Sequence, residues 1–329
     1  MSVKTKRSST RELAIRVTAG QDHMTRYMQT RNQIKQYEFL DPRHMSDDQR
    51  RLYNQCVYIP LAEATQVSGF LKKAEFTNHL GANSFLWIQG DAGTGKTSLA
   101  LEASALHLFP DNVGAKATRP GKSEGVVYDY APICCISGQG SQIAGLMRTG
   151  CTWYGLDAPR IGSDAGDRLG QIVHHCGTRI LIIDDLHGLM HLHKSIDEFR
   201  VALNKLAATV ILISVSRKDM IKSSVAAALM DETPAAKQII SRTTPLVLSN
   251  IHNMEHAEVV ASIERAQSLF KLLDGCADAA VIAEWVLQES KTNPRLASLP
   301  LVYTLLRSVA ASAVGEEETI TLARVIEAA

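Results

Sequence analysis

The chain has 329 residues, of which 45% are apolar and 21% charged, and its net charge is +1. This balance is ordinary for a globular protein and argues against a chain that is disordered throughout. No stretch reaches the roughly 18 uninterrupted apolar residues of a membrane-spanning helix, and the N-terminus lacks the apolar core of a secretory signal. We therefore expect a cytoplasmic protein without a membrane partner.

Positive charge is concentrated in the first 36 residues. This segment holds eight lysines and arginines against only Glu12 and Asp22, which leaves the rest of the chain net negative. A basic arm can follow a polyanion such as DNA through phosphate contacts, but the same composition also suits a solvated terminus. The sequence predicts a basic N-terminal arm over 1–40, and the charge alone leaves both roles open.

A strand, a glycine-rich loop and a helix are predicted around residue 90. A helical pattern covers 47–80, a short apolar strand covers 84–89, and a helix without breakers covers 97–108. The loop reads Gly90-Asp91-Ala92-Gly93-Thr94-Gly95-Lys96-Thr97, which matches the phosphate-binding pattern G-x-x-x-x-G-K-[ST] in the strand and helix context that it requires.

This octet predicts a nucleotide site. Glycines let backbone N–H groups curl around phosphate oxygens, and the N-terminus of the following helix adds partial positive charge. Lys96 should contact the β- and γ-phosphates of ATP, and the Thr97 hydroxyl should bind Mg²⁺.

Strands and helices alternate through the middle of the chain. A loop rich in Pro, Gly and basic residues is predicted over 110–125, and a second loop over 157–166. Helical patterns cover 141–150, 169–176 and 196–206, and strands are predicted at 131–136, 179–183, 209–215 and 245–248. This alternation predicts an α/β fold with a parallel sheet that is covered by helices on both sides.

The C-terminal third has a helical pattern from 255 to 329, with a break at Asn293-Pro294. We therefore predict a nucleotide-binding core over 41–250 and an α-helical lid domain over 251–329.

Two adjacent carboxylates end the predicted strand at 179–183. A P-loop needs a carboxylate at the tip of a neighbouring strand to hold the metal, and Asp184 is the candidate. Asp185 stands where many hydrolysing ATPases keep a Glu that orients the attacking water. Because an Asp is one methylene shorter, this residue favours slow hydrolysis.

Three further positions are candidates for contact with the γ-phosphate. Ser216 or its neighbour Arg217 follows the strand at 209–215 and is a candidate sensor, with a simple turn as the alternative. Arg242 precedes the last strand and is placed to reach the nucleotide of an adjacent subunit as an arginine finger, with a surface arginine as the alternative. Arg295, after Asn293-Pro294 at the start of a lid helix, is a second candidate sensor.

With these elements in place, the chain resembles an AAA+ ATPase and, more narrowly, the TniB family of transposition ATPases, relatives of TnsC and MuB. Residues 87–97 resemble the first strand and Walker A of that family, residues 177–189 resemble its "hhIDE-h-H-x-L" block, and residues 237–242 resemble its "Q-L-x-x-R" box. The sequence departs from the family at Asp185, where Glu is usual, at Ser216-Arg217, where Gly-Thr is usual, and at Thr243, where an aromatic residue is usual.

The resemblance implies a bacterial, nucleoid-associated ATPase that assembles with ATP into a ring or helical filament on double-stranded DNA. Such an assembly marks a target, meets a target-site adaptor protein and recruits or activates a transposase or integrase. Its DNA contacts go to phosphates and depend little on sequence. By position, the candidates for the DNA surface are the loop at 137–142 and the residues Lys116, Arg119, Lys122 and Arg148.

Two other functions share the same nucleotide-site residues. A helicase loader or replication-initiator relative would differ only in its partners. A nucleotide-switched signalling module of the STAND type would use ATP to hold a closed state, but such chains usually carry a long repeat sensor, and the sequence shows no repeats.

Overall fold

The computed structural model describes most of the chain from residue 33 onward. The described ranges are 33–78, 83–108, 121–123, 126–128, 130–156, 162–190, 195–216, 219–220, 222–231, 233–273, 279–293, 296–315 and 319–329. The basic arm as far as residue 32 lies outside them, as do Lys116, Arg119, Arg217 and Arg295. Within the described residues, no helix is long and apolar enough to cross a bilayer.

Strands and helices alternate as the sequence predicts. The strands are β1 (Phe85–Gly90), β2 (Gly121–Ser123), β3 (Val126–Tyr128), β4 (Ile133–Ser137), β5 (Ile180–Asp184), β6 (Thr209–Ser214) and β7 (Thr243–Leu248). The helices are α1 (Asp47–Cys56), α2 (Ala64–Asn78), α3 (Lys96–Leu108), α4 (Ile143–Trp153), α5 (Gly162–His175), α6 (Ser195–Asn204), α7 (Val225–Leu229), α8 (Pro234–Ile240), α9 (His256–Leu269), α10 (Ala279–Glu289), α11 (Leu299–Ala313) and α12 (Leu322–Ala328).

Five strands form one sheet in the order β4-β5-β6-β1-β7, and every pairing in it is parallel. All six residues of β1 are buried, and alternate side chains enter opposite layers of the core. Leu86 and Ile88 pack in one apolar cluster, whereas Phe85 and Trp87 pack in the other. A parallel sheet with both faces covered is the P-loop α/β fold that the sequence predicts, and that prediction is confirmed.

The carboxyl ends of the strands bring polar residues together at one edge of the sheet. Ser137 of β4 pairs with Asp184 of β5, and Gln89 of β1 pairs with Ser214 of β6. On the other side of β1, Gly90 pairs with Leu248 of β7. Because ligands of open parallel sheets bind outside the carboxyl ends of the strands, this edge is the expected place for a site.

The C-terminal helices pack against the N-terminal helix α1 and share one apolar cluster with a face of the sheet. Asn54 of α1 is fully buried there, and its side-chain amide donates hydrogen bonds to Ala310 O at 3.3 Å and to Lys271 O at 3.4 Å. Its Oδ1 accepts from the backbone N–H of Lys271 at 2.8 Å. A buried amide satisfied on both sides fixes how α1 and α11 meet.

Three predicted boundaries are wrong, each for a local reason. The helical pattern at 47–80 is two helices, because the chain is non-helical from Val57 to Pro60 and proline disfavours the helical region for the residue before it. Helix α5 begins at Gly162 inside the predicted loop, since Ala165, Leu169 and Ile172 already bury one helical face. The predicted loop at 110–125 contains β2, which pairs antiparallel with β3.

Candidate active site

The glycine-rich loop joins β1 to α3, and its conformation depends on glycine at two positions. Gly90 has φ 158°, and a Cβ there would stand 2.8 Å from the carbonyl oxygen of Leu248 on β7. Gly95 has φ 79°, and a Cβ there would collide with the ring of Pro300. Side chains at these two positions would collide with β7 and with α11, so the loop keeps the tight glycine turn whose backbone N–H groups can face phosphate oxygens.

The first turn of α3 meets the end of β5. The Thr97 hydroxyl donates a hydrogen bond to Asp184 Oδ2 at 2.6 Å, and the backbone N–H of Asp185 donates to Asp184 Oδ1 at 2.8 Å. The structure thus brings the two predicted magnesium ligands into direct contact. A hydroxyl and a carboxylate are the hard oxygen donors that Mg²⁺ prefers, so this pair fits the metal that the sequence implies.

Lys96 lies over the same loop. Its Nζ donates to Asp91 O at 2.6 Å and to Gly90 O at 2.9 Å. Burial lowers the pKa of Lys96, and the nearby carboxylates, chiefly Asp184, oppose that shift. The amino group is therefore held at the mouth of the loop, where phosphate oxygens are its natural partners.

Asp185 has an unusual backbone and a specific partner. Its φ of 54° and ψ of 38° are left-handed, and it is the one residue other than glycine with positive φ in the part of the chain that the structure describes. Asp tolerates this region better than most residues, but the conformation still costs energy. Its Oδ2 accepts a hydrogen bond from Ser137 Oγ at 3.0 Å. The carboxylate is thereby turned toward β4, the strand on the far side of β5 from the P-loop.

Residues from the C-terminal half close over the loop, and sequence reasoning missed them. Asn250 follows β7 and donates a side-chain hydrogen bond to the Asp91 carboxylate. Ser298, just before α11, donates from its hydroxyl to Gly93 O at 2.6 Å. Asn250 is a polar residue just beyond a strand end, a signal that could have identified it. Ser298 lies within a helical pattern and offers no comparable signal.

A cavity of about 260 Å³ opens beside the loop. It lies between the segment joining α1 to α2, one face of α3 and the first three turns of α11. The lining residues are Tyr58, Ile59, Leu61, Gly95, Ser98, Leu99, Glu102, Pro300, Tyr303, Thr304 and Arg307. Its volume is just below the usual range for ligand pockets, and one of its walls is the loop itself.

Ser216, the sensor candidate within the described residues, does not hydrogen-bond to the Thr97–Asp184 pair. Strand β6 ends at Ser214, whose buried hydroxyl accepts from the Trp87 indole N–H at 2.9 Å. Ser216 is two residues further on and donates to Asp219 Oδ2 at 2.8 Å, which closes a small polar turn. Arg217 and Arg295 lie outside the described residues.

Arg242 lies at the amino-terminal ends of the strands, whereas the P-loop follows the carboxyl end of β1. Its carbonyl oxygen accepts from the N–H of Phe85, the first residue of β1, at 3.0 Å. The side chain is exposed, and Nη1 donates to Asn204 Oδ1 at 3.4 Å. At a rise of about 3.3 Å per residue, the length of β1 separates Arg242 from Gly90 by roughly 17 Å. This arginine therefore cannot reach the nucleotide site of its own chain.

Comparisons with known proteins do not assign this chain to a family. No family model matches the sequence, and no curated protein matches it. Solved structures do match, and one of them is Drosophila ORC bound to DNA, with 13% identity and a TM-score of 0.46 over 87% of this chain. The matched part is 66% of that chain. The fold assignment rests on the parallel sheet and the phosphate-binding loop described above.

Proposed function

We propose that this chain is a magnesium-dependent ATPase of the AAA+ class that binds double-stranded DNA and regulates transposition. The observation that carries the ATPase assignment is the contact between Thr97 Oγ1 and Asp184 Oδ2 at 2.6 Å, directly beneath a loop that requires glycine at positions 90 and 95. Hydroxyl, carboxylate, lysine and backbone amides converge there as Mg²⁺ and a triphosphate require. When bound, the metal would neutralise charge on the phosphate oxygens.

The chain's own residues have separate roles in this proposal. Lys96 and the backbone N–H groups of the loop orient the phosphates, while Thr97 and Asp184 hold the metal. Asp185 orients the attacking water once its carboxylate turns away from Ser137. Because the Asp185 side chain is short and already hydrogen-bonded, turnover is slow without a partner.

Arg242 supports an assembly of several copies. Its separation from the P-loop of its own chain means that it can act only on the nucleotide of another copy. In that arrangement, each nucleotide is held by one subunit and completed by the next, so hydrolysis requires assembly. A ring or filament of identical subunits meets this requirement, because a head-to-tail interface repeats around or along it.

The DNA-binding and transposition roles rest on the sequence. The basic arm, the resemblance over 177–189 and 237–242, and the loop at 137–142 support them. In the structure this loop begins at Ser137, the residue that contacts Asp185, and its members Gln139 and Gly140 are exposed. DNA bound to the loop would thus lie next to the residue proposed to control hydrolysis.

Electron microscopy of the protein alone, with ATP, with duplex DNA and with both tests the assembly. We expect rings or filaments when ATP and DNA are both present, and a Lys96→Ala variant should remain unassembled in all four conditions. DNA affinity should fall steeply with salt, because the contacts go to phosphates. Identical monomers of the unaltered protein in all four conditions would contradict the proposal.

Calorimetry with Mg²⁺ and ATP or ADP tests nucleotide binding itself. A folded protein that gives no binding heat with either nucleotide would contradict the ATPase assignment. A gene for a DDE-type integrase beside this one would support the transposition role. DNA-dependent assembly without any effect on a transposase would favour the loader or initiator alternative.

A further inference from the structure

One face of helix α3 runs from the phosphate-binding loop into the cavity beside it. Gly95, Ser98, Leu99 and Glu102 all line this cavity, and their spacing of three, four and seven residues places them on a single helical face. At 1.5 Å per residue, Glu102 stands roughly 10 Å along the helix axis from Gly95. The cavity adjoins the loop on this side, so a nucleotide whose phosphates occupy the loop has space for its base beside Glu102.

Glu102 is an unusual residue for such a position. It is 6% exposed, and the other lining residues at its level come from α11, including Tyr303 and Arg307. Burial raises the pKa of Glu102 to about 8, and the Arg307 guanidinium opposes that shift. Burial likewise lowers the pKa of Arg307, with the Cys56 thiol and Glu102 opposing it. The cavity thus ends in a carboxyl group that is largely neutral near pH 7.

A carboxyl group presents a different hydrogen-bonding pattern in each protonation state. The neutral acid offers one donor and one acceptor, whereas the ionised form offers acceptors only. Adenine carries an N6 amino donor beside a ring-nitrogen acceptor, at N1 on one edge and at N7 on another. Guanine carries two adjacent donors, N1–H and the N2 amino group. The neutral acid therefore matches adenine, and the carboxylate matches guanine.

We propose that Glu102 is the residue that selects the nucleobase: as a neutral acid it pairs with the amino group and a ring nitrogen of adenine, and on losing its proton it favours guanine. This inference rests on the proposed nucleotide-binding function and deepens it. It makes the preference for ATP over GTP depend on pH, with the change centred where Glu102 loses its proton.

Several other ionisable groups face the same space and must be separated from Glu102. Arg307 and Tyr303 come from α11, Tyr58 from the segment after α1, and Cys56 from the end of α1 beside Arg307. Burial raises the pKa of Tyr303 and of Cys56, so both stay neutral over the range in which Glu102 titrates. Lys96 acts on the phosphates, which ATP and GTP share, so its protonation cancels in the ratio of the two affinities.

The test measures the Kd of ATP and of GTP for the full-length protein by calorimetry at about pH 6 and about pH 8.5. We expect ATP to bind about tenfold more tightly than GTP at the lower pH, the effect of one or two hydrogen bonds. The ratio should fall severalfold at the higher pH. Glu102→Gln fixes one donor and one acceptor, so the ratio should become independent of pH. Glu102→Leu should bring the ratio toward one at both pH values.

Two further variants sharpen the result. Glu75→Gln removes an acidic side chain of α2 that hydrogen-bonds His107 away from the cavity, and it should leave the pH profile of the ratio unchanged. Arg307→Met removes the positive charge beside Glu102, so the midpoint of the profile should move to higher pH. If Glu102→Leu still discriminates between the bases, or if Glu102→Gln keeps the pH dependence, the proposal is overturned. Absence of binding to either nucleotide would instead refute the nucleotide-binding function itself.

Discussion

Ser137 holds the carboxylate of Asp185 through a hydrogen bond of 3.0 Å from its hydroxyl to Oδ2. The two residues end neighbouring parallel strands, and the same Ser137 oxygen also accepts from the backbone N–H of Gln139 at 3.2 Å. The hydroxyl therefore connects the exposed loop after β4 to the carboxylate beside the proposed metal ligands. Because the strand order places β4 on the far side of β5 from β1, this bond draws Asp185 away from the P-loop.

Removing the Ser137 hydroxyl should release Asp185. We expect Ser137→Ala to raise basal ATP turnover severalfold, because a hydrogen bond of this kind contributes about 1 kcal/mol. Phosphate release at saturating ATP measures the effect, and the KM for ATP should change little. Ser141→Ala, a hydroxyl deletion further along the same loop, is the matched control. Turnover that falls in Ser137→Ala would show that the bond positions Asp185 rather than restraining it.

Arg242→Ala should abolish turnover while leaving nucleotide affinity intact, because the arginine lies roughly 17 Å from its own loop. Mixing the variant with Lys96→Ala gives a decisive measurement. Each variant is inactive alone, and Lys96→Ala does not assemble by itself, but its intact Arg242 can still meet the ATP that the intact P-loop of Arg242→Ala holds. We expect the mixture to recover part of the wild-type rate. If Arg242→Ala hydrolyses ATP at the normal rate at saturating protein concentration, Arg242 does not take part in hydrolysis.

Asp184→Asn should weaken the dependence of nucleotide binding on Mg²⁺. The substitution keeps the shape of the side chain and retains an acceptor for the Thr97 hydroxyl, but removes the charge that a divalent cation needs. Titration of Mg²⁺ at fixed ATP, followed by calorimetry, should show at least tenfold weaker metal dependence, with ADP binding in the absence of metal little changed. An unaltered Mg²⁺ titration would mean that another residue holds the metal.

Glu102 should make the stability of the protein depend on pH. Its pKa is about 8 in the folded chain against an ordinary value of 4.5, so between these values the folded chain holds a proton that the unfolded chain releases. The free energy of unfolding therefore falls as pH rises through this window, and the stabilisation is complete only below it. Each kcal/mol lost lowers the Tm of a chain this long by about 2 °C.

Thermal unfolding at several pH values between about 5 and about 8 measures this effect. Wild type should lose several degrees more than Glu102→Gln, whose amide does not titrate. If Tm changes with pH in the same way in both proteins, Glu102 has the same pKa in the folded and unfolded chains.

Much of the fold could be predicted from local patterns. Strands β1, β5 and β6 are short apolar runs that end at turn residues, and this pattern is enough to predict a buried parallel strand. The octet at 90–97 identifies the phosphate loop because its glycines adopt the backbone angles of a tight turn, which depend on local sequence. Asp184 could be found for a related reason, since parallel strands end at the same edge of the sheet.

The parts that could not be predicted depend on contacts between distant segments. Pro300 lies against Gly95, and Glu102 lies beside Arg307, but in each case the partners are about 200 residues apart in sequence. Nothing in the pattern of α3 distinguishes Glu102 from a solvated acid on a helix surface. Glu102 lies beside α11, and the periodicity of α11 shows that it buries one face but not which helix that face meets.

Through the contact between Gly95 and Pro300, the first turn of α11 rests on the phosphate loop. The helix has 15 residues and is therefore about 22 Å long, so a tilt of about 10° at its first turn would displace Ala313 by about 4 Å. Ala313 is buried in the cluster that also contains Tyr53 of α1. We therefore expect a ligand that moves the phosphate loop to press on the first turn of α11, the helix that also packs against α1.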